Sequence, residues 1–287
     1  MIVNILRRHN RTIFITLFLI FNMNKKREFN QILQDIKEIK IQGARNIAKS
    51  ALKAYSLIPT KNSKNILLNS RPTEPMMQNV LEMAQKKVSK EKILTHFNEA
   101  QKKINENVFK LIKNKEVIFT HCHSTNVVNA LIYAKKKEKK FEVHNTETRP
   151  LFQGRKTAEE LRKSGIKTTM FIDSALGVAL KDAKIIFLGA DALLKKGIIN
   201  KIGSGIIARI AKDEKIPVYI VADSWKFTKN KIPIEQRSLN EVWDKVPKNI
   251  KIKNPAFEFV DKKYISKIVS ELGAMKYSDF VRKMIKN

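Results

Sequence analysis

The chain of 287 residues contains one cysteine, so an internal disulfide and any Cys-x-x-Cys metal site are excluded within it, and a reducing cytoplasm is the simplest compartment. Its longest apolar run, Ile13 to Phe21, falls well short of the roughly 20 residues needed to cross a bilayer. Arg7, Arg8 and Arg11 precede that run, but no small-residue cleavage site follows it, so residues 1–22 read as an upstream extension or a mis-assigned start rather than a targeting segment, and no membrane association is expected. Negative charge is also scarce: 27 Asp and Glu face 57 Lys and Arg, a formal charge of +30. There is no basic tail, no RGG tract and no basic stripe interleaved with aromatics. The lysines are spread over nearly every segment, which describes a solvated cationic surface better than a nucleic-acid footprint. Internal repeats, low-complexity linkers, a P-loop and a dinucleotide fingerprint are all missing.

What is present is 43% hydrophobic residues, enough for a sizeable core, in a pattern that changes partway along. From Phe29 to Lys53 apolar residues recur at helical spacing, broken at Gly43, and Met23 is expected to open this helical region. Asn69 to Thr73 forms a turn into a helix bearing Met76, Met77, Val80 and Leu81, and a charged helix follows from about Glu91 to Lys113. Beyond Lys115 short β-branched runs alternate with amphipathic helices. The runs at 117–120, 141–145, 168–172, 185–188 and 218–221 read as buried strands, and 254–287 reads as one or two closing helices. The expected architecture is α/β: a helical N-terminal domain over 23–114, then a doubly wound, mostly parallel Rossmann-like sheet over 115–287.

Ligands of an open parallel sheet bind beyond the carboxyl ends of its strands. The polar residues at those ends are Thr120 to Asn126, Asn145 to Arg149, Asp173-Ser174, Gly189-Ala190-Asp191 and Asp223 to Lys226. Cys122 falls between a strand and a helix beginning near Ser124, where a helix N-terminus would favour a thiolate. A small buried hydrophobe is the equally open alternative. His121, Cys122 and His123 cannot all face one metal ion, because consecutive extended residues point to opposite sides. Asp191 is a turn former unless Cys122 lies across the same cleft. Gly197 to Gly205 approaches a helix N-terminus in a manner suited to an anion.

Taken in order, T-H-C-H-S at 120–124, T-E-T-R-P at 146–150, Q-G at 153–154, G-A-D at 189–191, N-K-I-G at 200–203, W-K-F at 225–227 and N-P-A-F at 254–257 resemble the initiation factor 2B-like superfamily. I-Q-G-A-R at 41–45 and S-R-P-T at 70–73 fit its helical N-terminal domain. That superfamily includes ribose-1,5-bisphosphate isomerase, methylthioribose-1-phosphate isomerase and the regulatory alpha, beta and delta subunits of translation initiation factor 2B. The resemblance implies a catalytic cysteine at Cys122 and a catalytic aspartate at Asp191. It further implies substrate contacts from Gly43, Ala44, Arg45, Arg71, Ser124, Thr125, Asn126, Asn200, Lys201 and Lys226. This chain departs from the isomerase pattern at Gln42, where arginine is usual, and at His123, where asparagine is usual. The implied activity is aldose-ketose isomerisation of a ribose 1-phosphate derivative, ribose 1,5-bisphosphate leading, without metal or nicotinamide. A homodimer or homohexamer is the implied assembly, and a non-catalytic regulatory subunit is the competing class.

Overall fold

The computed structural model describes residues 2–234 and 236–286, with residues 2–19 described by backbone alone. The chain divides into two compact units, one comprising residues up to Pro72 together with Met77–Lys90, the other comprising Thr73–Met76 and Glu91–Asn287.

The first unit is helical. Helix α1 (Ile2–Lys37) runs unbroken through Met23, where the sequence suggested a beginning. Among the described residues no helix is long and apolar enough to cross a membrane. The chain then turns at Gly43, whose φ of 84° lies in the region glycine tolerates, into α2 (Ala44–Leu57). Helix α2 buries Ile47, Ala48, Ala51, Leu52 and Tyr55, a stripe at helical spacing. Thr60 and Ser63 form a reciprocal capping box at the start of α3 (Lys61–Ser70). Pro72 disfavours helical geometry at Arg71, which ends α3. Helix α4 (Pro75–Gln85) follows.

In the second unit, α5 (Lys90–Phe109) lies N-terminal to the expected change of architecture, yet its residues Ile104 and Val108 share a core with the sheet residues Ile118 and Val143. The sheet is built from β1 (Glu116–Thr120), β2 (Phe141–Thr146), β3 (Lys167–Phe171) and β4 (Ala183–Leu188), with later strands added to its far side. After β5 (Ala192–Leu193) and β6 (Gly197–Lys201) come β7 (Val218–Val221), β8 (Phe257–Asp261), β9 (Lys267–Ser270) and β10 (Gly273–Met275). The main sheet has seven strands in the order β10-β9-β7-β4-β1-β2-β3, all parallel except β10. Adjacent residues of the central strands feed opposite cores, as period-2 alternation demands, whereas β3, expected from the sequence to be buried, is an edge strand of exposed and half-buried residues with one face left to solvent. Ile118, Phe187, Val221 and Val269 pack with α5 and α6 (Thr125–Lys136). Phe119, Ile186, Leu188, Ile220 and Ile268 pack with α9 (Ser204–Asp213) and α10 (Tyr277–Lys286). Between these helices in sequence lie α7 (Gln153–Lys163) and α8 (Leu176–Leu180). Each fully buried Phe or Ile contributes roughly 1.5–3 kcal/mol of transfer free energy.

Two expectations are corrected here. The stretch 254–287 holds three strands and only one helix, α10, because F-E-F-V-D and K-I-V-S are too short to carry a helical period yet supply the β-branched and aromatic residues a strand uses. Gly197 to Lys201, read from the sequence as part of a glycine-containing approach to a helix, is a buried strand, and it pairs antiparallel with both β5 and β8 in a separate three-stranded sheet.

Candidate active site

In the order 3-2-1-4 the chain leaves β1 in one direction and returns past it to β4, so the gap between the carboxyl ends of β1 and β4 is the topological switch point, where crossovers diverge and leave a crevice. Cys122 stands at the end of β1, and Gly189, Ala190 and Asp191 stand at the end of β4. Gly189 fixes how closely these ends approach. A Cβ there would lie 2.7 Å from the Cβ and Oγ of Ser124, the residue that caps α6 by accepting from the Val127 N–H.

Cys122 has a φ of 63°, a left-handed conformation uncommon for a side chain of its type. Its peptide groups are held from both sides. The Cys122 N–H donates to Thr148 Oγ1 at 3.0 Å, and its carbonyl accepts from Thr157 Oγ1 at 2.8 Å. Because the Thr157 hydroxyl proton is committed to that carbonyl, the contact from His123 Nδ1 to Thr157 Oγ1 at 3.1 Å makes His123 the donor. His121 is buried, with Nε2 2.9 Å from the Ile202 carbonyl and Nδ1 2.6 Å from the Thr146 hydroxyl. A carbonyl only accepts, so Nε2 carries the proton and Nδ1 accepts from Thr146. Burial lowers the His121 pKa, in keeping with this neutral ring.

The expectation of a dipole-activated thiolate is not met. Burial pushes the Cys122 thiol up to about 11, against the opposing pull of Lys201, while Asp191 and Asp173 add to the rise. At neutral pH the resting group is a thiol. The backbone brings Cys122, Asp191 and Lys201 together: Cys122 and Asp191 follow the paired strands β1 and β4, and Ile202, next to Lys201, accepts from His121, next to Cys122.

The remaining sequence-derived residues fall as follows. Lys201 is buried on β6 with its ammonium 5.2 Å from the centre of the Phe257 ring. Its neighbour Asn200 donates to Ser204 Oγ at 2.8 Å. Lys226, also buried, reaches the Ala190 carbonyl at 2.5 Å and so buttresses the turn that carries Asp191. Ser124 and Thr125 lie at the α6 N-terminus beside the thiol, Ser124 half-buried and Thr125 exposed. Asn126 turns toward α5, donating to the Gln101 side chain at 2.9 Å, so its amide is engaged in packing. Gly43, Ala44 and Arg45 mark the start of α2, and Arg71 the end of α3, all in the helical unit.

The anion-suited N-terminus of α9 is already occupied. Glu258 on β8 accepts from the Gly203 N–H at 2.6 Å and the Gly205 N–H at 2.9 Å through one carboxylate oxygen. Among the described residues, one group could hold a metal ion: His96, Asp223 and Glu271, whose ligand atoms lie within 4.8 Å of one another. Their lone pairs are already engaged. Asp223 accepts from the Trp225 N–H and contacts His96 Nε2 at 3.1 Å, and Glu271 accepts from the Ser224 N–H and hydroxyl. Burial and the Asp223 charge raise the Glu271 pKa, and the cluster reads as an internally bonded hydrogen-bond network.

Sequence reasoning missed Thr157 and Glu258, and it held Thr148 only as one of the strand-end stretch 145–149 without a role. Thr148 lies inside the T-E-T-R-P motif, where a hydroxyl at a strand end was the available signal.

Fold and site together define a class: a Rossmann-type α/β protein with a cysteine and an aspartate following the two paired strands that flank the switch point of its sheet. Over residues 48–277 the sequence matches the model of the initiation factor 2 subunit family, and the chain belongs to that family. It is 33% identical to the ribose 1,5-bisphosphate isomerase of Methanocaldococcus jannaschii, over 89% of this chain and 94% of that one. It is 28% identical to the methylthioribose-1-phosphate isomerase of Fervidobacterium nodosum, over 90% of this chain and 89% of that one. Among solved structures, the translation initiation factor eIF-2B of Pyrococcus horikoshii superposes with a TM-score of 0.76 at 26% identity, covering 86% of this chain and 96% of that one.

Proposed function

We propose that the protein is an aldose-ketose isomerase acting on a ribose 1-phosphate derivative, with ribose 1,5-bisphosphate as substrate and ribulose 1,5-bisphosphate as product. The observation that carries this reading is that Cys122 and Asp191 follow the paired strands β1 and β4 at the switch point, with the Lys201–Ile202 segment bound to His121 beside the cysteine. A sugar phosphorylated on its anomeric oxygen cannot open by hemiacetal reversal, so the reaction needs one acid/base group at the ring oxygen and a second group for the hydrogen at C2. Asp191 takes the first role and Cys122, in its minor thiolate form, the second, taking the proton from C2. Two buried lysines, Lys201 at the end of β6 and Lys226 after β7, suit a doubly phosphorylated sugar better than one ending in a thioether, which would want an apolar slot. The relatives named as ribose 1,5-bisphosphate isomerases support the same choice.

The test is a ketose-forming assay on ribose 1,5-bisphosphate and on methylthioribose 1-phosphate, with wild type, Cys122→Ser and Asp191→Asn. Both variants should lose about 10²–10⁴-fold in kcat, the range for a positioned acid or base, while Asp191→Asn keeps KM near the wild-type value. A turn-forming Asp191 would instead lower the melting temperature and leave turnover per folded molecule unchanged, which would reject its assignment. A wild type inactive on both sugars but binding either would favour a regulatory subunit.

A further inference from the structure

Three neighbouring strand ends are tied together beneath the thiol, and the outermost tie is a carboxylate that no catalytic step uses. Asp173 follows β3 and grips two consecutive backbone amides of the loop after β2. Its Oδ1 accepts from the Thr148 N–H at 2.9 Å and its Oδ2 from the Arg149 N–H at 2.6 Å. The clamped residue is Thr148, fully buried, with a φ of 62°. For a β-branched residue that conformation is an outlier and costs on the order of 1–3 kcal/mol, which two charge-assisted hydrogen bonds are strong enough to offset. So held, Thr148 presents its hydroxyl to the end of β1, donating to the Thr146 carbonyl at 3.4 Å and accepting from the Cys122 N–H at 3.0 Å. Cys122 is itself left-handed, and its default extended conformation would re-aim its Cα–Cβ bond.

We propose that Asp173 is a positioning residue for the reaction, holding Thr148 so that Thr148 keeps Cys122 in the left-handed conformation that aims its sulfur into the crevice. An electrostatic role fits poorly, since the Asp173 charge disfavours a thiolate. Its benefit is therefore geometric. Thr157 holds the other side of Cys122 and does not contact Asp173, so the two supports are separable. This inference rests on the reading of Cys122 as the reacting thiol.

The experiment uses the full chain and two readouts on Asp173→Asn, Asp173→Glu, Thr148→Val, Thr148→Ser and the double variant Asp173→Asn/Thr148→Val. One readout is kcat and KM on ribose 1,5-bisphosphate. The other is the rate at which iodoacetamide alkylates the single thiol, which needs no isomerase activity. Asp173→Asn, Asp173→Glu and Thr148→Val should each lose about a hundredfold in kcat, as a displacement near 1 Å can cause, with KM little changed. The double variant should be no worse than its worse single, because the two residues act in series. Thr148→Ser, which keeps the hydroxyl, should stay close to wild type. In the alkylation series Thr148→Val and Asp173→Glu, neither of which alters net charge, should both react faster as the thiol is released. Alkylation at the wild-type rate in Thr148→Val, or near-normal turnover in Asp173→Glu, would overturn the inference, as would losses that multiply in the double variant. If Asp173→Asn fails to fold, Asp173→Glu and Thr148→Val still decide. A wild type without isomerase activity would sink the proposed function while the alkylation series continued to test the positioning chain.

Discussion

Cys122 sits in two opposing influences, burial that holds its proton on and the Lys201 ammonium that draws it off, and burial is the larger. The sign follows directly. A thiol pushed up to about 11 is reactive only in the small deprotonated fraction at neutral pH, and that fraction grows as pH rises. Alkylation of the native protein should therefore accelerate about tenfold per pH unit from 7 to 10 without levelling off. A plateau near the ordinary thiol range would show that burial does not control this group. Lys201→Met should slow the reaction at any fixed pH, since it removes the opposing cation. The sequence already placed Cys122 and Asp191 at strand ends, because strand ends follow from β-branched runs. It could not show the left-handed backbone of Cys122, which depends on hydroxyls 26 and 35 residues away. Nor could it show the raised thiol, which depends on what three-dimensional packing covers.

At the scale of elements, the site is a meeting of two strand ends with one helix start, and Gly189 sets their spacing. Gly189→Ala would drive a methyl group to 2.7 Å from Ser124, so either β4 or the first turn of α6 must shift. Overpacking of this kind costs about 1–3 kcal/mol, and here it also moves the thiol's neighbour. The expected outcome is a melting temperature lowered by several degrees together with reduced turnover per folded molecule; an unchanged melt and unchanged kcat would show that the contact is slack. The first five parallel strands were legible because each is a β-branched or aromatic run bounded by a helix of clear period. The later strands β8, β9 and β10 were not, since three to five residues carry too little periodicity to distinguish strand from helix. Likewise α5 reads as part of a helical domain, and only its packing against β1 and β2 assigns it to the sheet.

For the whole molecule, charge and apolar surface make separate demands. The excess of 57 cationic over 27 anionic side chains keeps copies apart at low salt. Helix α9 nevertheless exposes Ile206 at 53% and β8 exposes Phe259 at 46%, apolar groups that a monomer leaves in water. We predict a homodimer or a larger even-numbered oligomer such as a hexamer, measured as mass by light scattering at micromolar concentration and favoured by added salt, which screens the cationic repulsion. A monomeric mass at every salt concentration would count against it.

The carboxylate of Glu258 at the start of α9 has a further consequence. It is a competitor tethered to its own receptor, and tethering gives it an effective concentration on the order of millimolar or above. A free phosphate or sulfate ion arriving at that helix must displace a rival that never diffuses away, so ordinary buffer anions gain little there.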